Sequence, residues 1–278
     1  MANRTAGLTY IEKNTPLHKM TGGAKLLMLL FMSLAAMITF DTRLLVVLVV
    51  VAISLFVVAK MPIKEMKMIF SILAFIMAVN LVVSYLFSPE EGVAIYGSRT
   101  ELFHIIGRYY ITREQLFYQL NVTIKYFAIL PLAMVFFVTT DSSEFAASLN
   151  AIGVNYKIAY SVSLALRYIP SVLREYHDIS QAQQARGIDI SKNVKLSKRI
   201  IGIATIMFPL IITSIDKIDR IAGAMELRSF GKHKKRTWYK ARPFKKLDYA
   251  AVAVSLLFIV AAVLLNFVNG GRFFNPFS

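Results

Sequence analysis

The chain has 278 residues, of which 56% are hydrophobic, and it carries 32 Lys and Arg against 16 Asp and Glu. A soluble domain of this length rarely combines such an apolar composition with so large a positive excess. A nucleic-acid-binding surface would explain the charge but not the long apolar runs, so we interpret the basic residues as cytoplasmic loops of a membrane protein. The chain contains no cysteine, which excludes disulfides, thiol catalysis and cysteine-ligated metals.

Five segments are apolar enough to cross a bilayer, where a spanning segment must be helical and nearly free of charge over about 20 residues. The first two are short and joined by the turn Asp41-Thr42-Arg43, which predicts a helical hairpin. More than twenty mostly polar residues precede the first span, so we expect it to remain as a membrane helix and not to be cleaved with a signal peptide. The predicted spans are residues 24–40, 44–59, 68–87, 122–140 and 249–268.

The distribution of basic residues between the spans predicts the orientation of the chain. Residues 141–248 contain nineteen Lys and Arg, whereas the turn at 41–43 and the tail after 268 contain one each. Because cytoplasmic loops are enriched in Lys and Arg, we expect the amino terminus in the cytoplasm and the carboxyl terminus outside. The predicted organisation is an all-α polytopic membrane protein with four spans in residues 1–140, a cytoplasmic segment at 141–248, and a last span with an external tail at 249–278.

Two further apolar stretches, at 158–173 and 200–215, lie within the basic segment. We do not predict them as spans, because both are short, Arg167 interrupts the first, and insertion of the pair would place six cations outside: Arg174, Arg186, Lys192, Lys195, Lys198 and Arg199. Their apolar residues recur every three or four positions, which predicts two long amphipathic helices. We expect a kink or break at Pro170 and Pro209, and helix ends at Gly187 and Gly231.

The external loop at 88–121 has a different composition. Residues 93–96 and 103–111 are rich in β-formers around Gly97 and Gly107, which predicts a small hairpin. The run Thr112-Arg113-Glu114-Gln115 resembles a capping box, so we expect the helix of the fourth span to begin before its apolar part. After that span, Asp141-Ser142-Ser143-Glu144 predicts another helix start.

The two amphipathic helices end in related sequences, Gln183-Gln184-Ala185-Arg186-Gly187 and Met225-Glu226-Leu227-Arg228-Ser229. An arginine at a helix carboxyl end, flanked by small or apolar residues, presents a planar fork of donors that the carboxylates of a partner can bind. A single such arginine is explained as well by complementation of the helix dipole. Its duplication in the same setting favours a partner.

These paired motifs, set between four spans and a last one, resemble the transmembrane T component of energy-coupling factor transporters, a class of ABC importers. This family includes the permease subunit of cobalt and nickel importers. The segment from Pro16-Leu17-His18-Lys19-Met20 to Lys25 is similar to the family's lead-in to the first span. The second motif has Leu227 and Ser229 where the family often has Ala and Gly.

The resemblance implies that the chain is a coupling subunit and not itself an enzyme. Two ABC-type ATPase subunits would hold ATP and Mg²⁺ and would bind Ala185, Arg186 and Gly187 at one helix end and Leu227, Arg228 and Ser229 at the other. A small substrate-binding membrane subunit would bind the apolar faces, and the resemblance favours several interchangeable subunits over one. The complex would take up a vitamin or a transition metal across a bacterial cell membrane. The expected contacts on the apolar faces are Leu166, Ile169, Leu173, Ile211, Ile215 and Ile218.

Other functional classes receive less support from the sequence. The four histidines are scattered without metal-ligand spacing, and we find no nucleophile triad, phosphate-binding loop or dinucleotide turn, so we expect no cofactor or metal in this chain. The spans lack Asp and Glu at mid-depth, which disfavours a stand-alone secondary carrier or channel, the main alternative. A membrane-embedded enzyme is a third alternative, and the charge is assigned to topology and not to nucleic acid.

Overall fold

The computed structural model describes residues 15–60, 63–106, 109–189, 194–233, 237–238 and 242–276. This part of the chain contains ten α-helices and one small two-stranded sheet. The architecture is that of an all-α polytopic membrane protein. The chain divides into two units. Among the described residues, the bundle unit comprises 15–144 and 242–276, and the helix-pair unit comprises 145–238.

Helices of the bundle unit account for all five predicted spans. The short α1 (Pro16–Lys19) leads into α2 (Gly22–Ile38) and α3 (Thr42–Val58), which form the predicted hairpin, and the later spans lie on α4 (Ile63–Phe87), α6 (Arg113–Thr139) and α10 (Lys246–Val268). Both α2 and α3 have 17 residues. At 1.5 Å per residue each is about 25 Å long, slightly less than a hydrocarbon core of about 30 Å.

Side-chain caps determine where these helices begin. The hydroxyl of Thr21 accepts a hydrogen bond from the backbone N–H of Ala24, and the carboxylate of Asp41 accepts one from the N–H of Arg43. Asp41 is buried, and burial opposes its ionisation. Hydrogen bonds from the side chains of Arg43 and Asn269 outweigh that effect and hold the pKa of Asp41 below its ordinary value. The hairpin turn is therefore fastened to the end of α10.

Small residues form the crossings between the helices of the bundle. Ala35, Ala36, Ala52, Ala128 and Ala262 are all buried, and they share one apolar cluster with Leu45, Leu48 and Leu132. Alanine at a crossing lets two helix backbones approach closely, which is the main source of packing energy where lipid surrounds the bundle. The window of α4 that could span a membrane contributes no buried residue, so α4 is a peripheral helix.

The loop between α4 and α6 corrects one prediction. Residues 93–96 belong to helix α5 (Glu91–Tyr96) and not to a strand, and the hairpin is formed by β1 (Glu101–Ile106) and β2 (Tyr109–Thr112). Gly92 explains the difference, because a Cβ there would lie 2.5 Å from the backbone of Glu114. Its N–H donates to the side chain of Gln115, at 2.7 Å. Docking against the start of α6 thus favours a helical turn over local β propensity.

The predicted cap of α6 is confirmed in part. Helix α6 begins at Arg113, before its apolar part, and the hydroxyl of Thr112 accepts from the N–H of Gln115. The reciprocal bond of a capping box is replaced, because the side-chain oxygen of Gln115 accepts from Gly92 instead. The same four residues therefore both start α6 and attach α5 to it.

The helix-pair unit contains α8 (Tyr156–Ala185) and α9 (Leu196–Leu227), which follow α7 (Ser142–Ala151). The predicted helix start at 142 is confirmed. Neither α8 nor α9 breaks at Pro170 or Pro209. Helix α9 has 32 residues and is long and apolar enough to cross a membrane, so the argument that its apolar stretch is too short is wrong. Its predicted cytoplasmic position then depends on charge alone.

Candidate functional site

Helices α8 and α9 run antiparallel. The aromatic ring of Phe230, just beyond α9, lies 4.8 Å from the ring of Tyr160 and 5.7 Å from that of Tyr156 near the start of α8. Farther along both helices, the ammonium of Lys217 donates to the carboxylate of Glu175 at 2.6 Å. A ring contact at one end and an ion pair near the middle therefore set the register of the pair.

The first predicted motif forms a complete helix stop. Arg186 is the cap residue of α8, and Gly187 adopts a left-handed φ of 88°. The N–H of Gly187 donates to the carbonyl of Gln184 at 2.9 Å, and the N–H of Ile188 donates to that of Gln183 at 3.1 Å. These two bonds define a Schellman motif, in which glycine occupies the left-handed position because it lacks a Cβ.

The second motif repeats this geometry with a serine in the glycine position. Arg228 is the cap residue of α9, Ser229 has a φ of 55°, and the N–H groups of Ser229 and Phe230 donate to the carbonyls of Glu226 and Met225. The prediction that Gly231 closes this helix is therefore wrong. Because Ser229 already reverses the chain, Gly231 comes after the stop and not within it.

Both motif arginines are exposed at the ends of their helices. Leu227 beside Arg228 is 91% exposed, and Ala185 beside Arg186 is also exposed. Within the described residues, neither guanidinium group has an ion-pair partner. A Cβ added at Gly187 would meet no atom within 4 Å, so the flank of Arg186 is open.

The two arginines lie far apart, at opposite ends of α8. Arg228 lies with Tyr156 around one small polar cavity at the start of α8, whereas Arg186 follows the last residue of that helix. Thirty helical residues separate those positions, a distance of about 45 Å at 1.5 Å per residue. The arrangement can hold two separate partner domains, one at each end.

The six apolar residues predicted to contact a membrane partner form two short stripes. Leu166, Ile169 and Leu173 follow one face of α8, and Ile211, Ile215 and Ile218 follow one face of α9. All of them are exposed except Leu166, which is half-buried. Within the helix-pair unit these stripes therefore remain available for a partner or for lipid.

An apolar groove of about 590 Å³ runs between α8 and α9. Of the six predicted contact residues only Ile218 lines it, so the structure does not bring the set together there. Sequence periodicity identifies the apolar stripe of each helix, but the packing of the pair decides which residues face the groove. Its lining includes Leu164, Ala165, Tyr168, Val172, Ile221, Ala222 and Met225.

Sequence reasoning missed two basic residues in the bundle unit. Lys25, in the first turn of α2, is 1% exposed and its ammonium donates to the backbone carbonyl of Thr139 at 2.8 Å. Lys125 lies within the fourth predicted span, and its ammonium is 3.1 Å from the ring centroid of Phe40. A charge inside an apolar helix was the available signal, since such a residue must find a partner.

The histidines do not form a cluster. His18 is buried and its ring nitrogen lies 2.6 Å from the hydroxyl of Thr15, one helical turn earlier. No group of three or more His, Asp or Glu that could hold a metal ion occurs in the described parts of the chain. One histidine, His233, lies near a predicted site, because it lines the same small cavity as Arg228.

Comparison with known proteins gives a consistent result. Residues 13–239 match the family model described as cobalt transport protein. The energy-coupling factor transporter transmembrane protein EcfT of Exiguobacterium sibiricum is 25% identical over 221 residues, which cover 77% of this chain and 79% of the relative. EcfT of Limosilactobacillus fermentum is 36% identical over 113 residues, or 39% of this chain and 42% of the relative.

A third relative, EcfT of Bacillus subtilis, is 32% identical over 114 residues, which cover 41% of this chain and 42% of the relative. The alignments with this protein and with the Limosilactobacillus protein span less than half of each relative, whereas the family match includes both motif arginines and the first four predicted spans. The chain therefore belongs to the cobalt transport protein family and is a transmembrane T component of the energy-coupling factor class of transporters.

Proposed function

We propose that this chain transmits conformational change from two ATPase subunits to a small substrate-binding membrane subunit during uptake of a vitamin or a transition metal ion. The ATPase subunits bind ATP and Mg²⁺, the membrane subunit recognises the solute, and this chain contributes no catalytic group. It resides in a bacterial cell membrane with its amino terminus in the cytoplasm. Several substrate-binding subunits exchange on one copy of it.

The observation that carries this proposal is the duplicated helix end. Arg186 and Arg228 occupy the same position in two Schellman motifs, and both are exposed about 45 Å apart along α8. A single arginine of this kind complements the dipole of its own helix. Two equivalent sites at opposite ends of one rigid pair fit a symmetric pair of subunits, each of which takes one arginine.

Each helix end has the chemistry needed for such docking. The guanidinium forms paired hydrogen bonds with carboxylates, and the adjacent left-handed residue turns the chain away from it. At the second end, Leu227 adds an exposed apolar side chain. Removal of one partner from a desolvated Arg–carboxylate contact costs about 2 to 5 kcal/mol.

The exposed apolar stripes provide the second interface of the proposed complex. Ile169 and Leu173 on α8, and Ile211, Ile215 and Ile218 on α9, are exposed although the helices pack together. A small membrane subunit that rests on both stripes would tilt when the ATPases change the angle between α8 and α9. Nucleotide binding by the ATPase subunits docked at the helix ends is thereby converted into reorientation of the substrate-binding subunit.

The test is to replace Arg186 and Arg228 by Ala, singly and together, in the co-expressed complex. We expect each single variant to weaken association with the ATPases at least about thirtyfold, as 2 kcal/mol implies. The double variant should insert normally and lose ATP-driven uptake in proteoliposomes. Matched controls are Arg174→Ala and Arg220→Ala, which remove exposed arginines from the same helices away from their ends.

Unchanged co-purification and uptake in the double variant would refute the role of the two arginines. Proteoliposomes that contain only this chain form the second arm of the experiment. Solute movement in them without any ATPase would support a stand-alone carrier or channel instead.

A further inference from the structure

A buried polar cluster lies at one end of the bundle unit, outside the sites considered above. Its centre is Lys25, which is 1% exposed. The ammonium donates to the carbonyl of Thr139 in the last turn of α6 at 2.8 Å and lies 3.7 Å from the carboxylate of Glu144 in the first turn of α7. One side chain on α2 therefore contacts both sides of the turn between α6 and α7.

Asp248 connects two more helix starts in the same unit. Its carboxylate accepts from the backbone N–H of Thr21 at 2.9 Å, at the start of α2, and from that of Lys245 at 2.8 Å, at the start of α10. Asp248 is 1% exposed. Since Thr21 and Lys25 are one turn apart, both sets of contacts are anchored on the first turn of α2.

These contacts lie where the chain passes between the two units. The bundle unit gives way to the helix-pair unit after Glu144 and resumes at Arg242. Glu144 is thus the last residue before the first passage, and Asp248 lies six residues after the second. The residues that Lys25 and Asp248 contact therefore include Glu144 and Lys245, which lie close in sequence to the two passages.

Stability alone does not account for a lysine in this position. Desolvating an ammonium costs several kcal/mol, and well-packed apolar side chains often replace buried ion pairs without loss of stability. An ammonium does provide directed bonds to a helix carboxyl end, where the unpaired carbonyls carry partial negative charge. The same group attracts the carboxylate that begins the next helix. It can thus hold the last turn of α6 and Glu144 together, which an apolar side chain cannot do.

We propose that Lys25 is a positioning residue that keeps the turn between α6 and α7 rigid, so that movement of α8 and α9 reaches the bundle instead of being absorbed at the turn. This inference rests on the proposed coupling function. It predicts that loss of the ammonium separates ATP hydrolysis from transport while the subunits stay assembled. A residue that only stabilised the bundle would not produce that separation.

The test uses the reconstituted complex with Lys25→Met, Lys25→Arg and the control Lys19→Met, which alters an exposed lysine six residues away. Co-purification of the ATPases, ATP hydrolysis and uptake are measured together. For Lys25→Met we expect assembly and hydrolysis within about twofold of the wild type, and uptake per ATP at least about tenfold lower. Lys25→Arg, which retains the donor and the charge, should recover much of that loss.

The double variant Lys25→Met/Glu144→Met tests whether stability explains the effect, because it removes the buried ammonium together with its ion-pair partner. We expect its melting temperature to return towards that of the wild type while uptake per ATP stays low. This inference alone would be overturned if the double variant recovered uptake, or if Lys25→Met took up as much solute per ATP hydrolysed as the wild type. Absence of ATP-driven uptake by the wild-type complex would overturn the proposed function and this inference with it.

Discussion

Glu175 and Lys217 form the ion pair between α8 and α9, and both side chains are partly exposed. The hydrogen bond from Lys217 lowers the pKa of the Glu175 carboxyl below its ordinary value of 4.5. A carboxyl with a depressed folded-state pKa contributes stability above its unfolded-state pKa, and that contribution is lost as the pH falls through the folded-state value. The helix pair should therefore loosen below about pH 4.5, by a few tenths to 1 kcal/mol for such an exposed pair.

The single tryptophan of the chain provides a probe of this loosening. The indole N–H of Trp238 donates to the side chain of Asn150 at 3.0 Å, and its ring contacts Tyr160 on α8. Thermal unfolding followed by its fluorescence should show stability falling as the pH drops below about 4.5 in the wild type. In Glu175→Gln this part of the pH dependence should be reduced. If stability depended on pH equally in both proteins, Glu175 would not be the group responsible.

At the residue scale, sequence reasoning located the exposed charges better than the buried ones. Arg186 and Arg228 are identified by their place at the end of an amphipathic pattern, which requires no knowledge of the packing. The charge of Lys25 at the start of an apolar helix signals that it needs a partner, but the sequence does not identify that partner, because Thr139 and Glu144 are more than a hundred positions away. Only the approach of α2 to the end of α6 brings them together.

At the scale of the element, the ends of α8 and α9 allow glycine and serine to be compared in the same left-handed position. Gly187 and Ser229 occupy the same left-handed position, which costs a residue with a Cβ about 1 kcal/mol or more. Ser229→Gly should therefore stabilise the end of α9 by about 0.5 to 1 kcal/mol, and Gly187→Ala should weaken the end of α8 by a similar amount. Amide hydrogen exchange at residues 225–231 and 183–188 measures both effects.

Ser214→Gly is the matched control for that comparison. Ser214 lies within the regular part of α9, where glycine is less favourable than serine, so the same substitution should destabilise the helix there. If Ser229→Gly also increased exchange at the end of α9, the left-handed conformation of Ser229 would not be a source of strain.

Local sequence patterns predicted most of the helices, whereas tertiary contacts decided the structure of residues 93–96. Apolar runs and capping residues predicted the helices α2, α3, α4, α6 and α10, which carry the five predicted spans, and the start of α7. The same reasoning assigned residues 93–96 to a strand, because β-forming residues occur there. The close approach of Gly92 to Glu114 and the bond from its N–H to Gln115 favour helix α5 instead. Such contacts are invisible to a local pattern.

The orientation of the whole molecule can be tested by labelling, because the chain has no native cysteine. Single cysteines at Ile200 and Ser229 should react with membrane-impermeant reagents from the cytoplasm. A single cysteine at Phe103 should react from the outside. If α9 alone crossed the membrane, Ile200 and Ser229 would react from opposite sides. That arrangement would put the eight Lys and Arg of residues 232–246 outside, on the same side as the β1–β2 hairpin, or would invert the rest of the chain. Either outcome would go against the charge bias.

The sequence by itself determined that this is a helical membrane protein with a basic segment between its fourth and last predicted spans, and that two helices end in exposed arginines. Those features follow from local composition, since lipid requires apolar helices and a helix end requires a stop. Only the tertiary structure decided that α8 and α9 are antiparallel with their arginines far apart, and that Lys25 joins three helices. These properties depend on contacts between distant residues, whose geometry is set by packing and not by the order of neighbouring side chains.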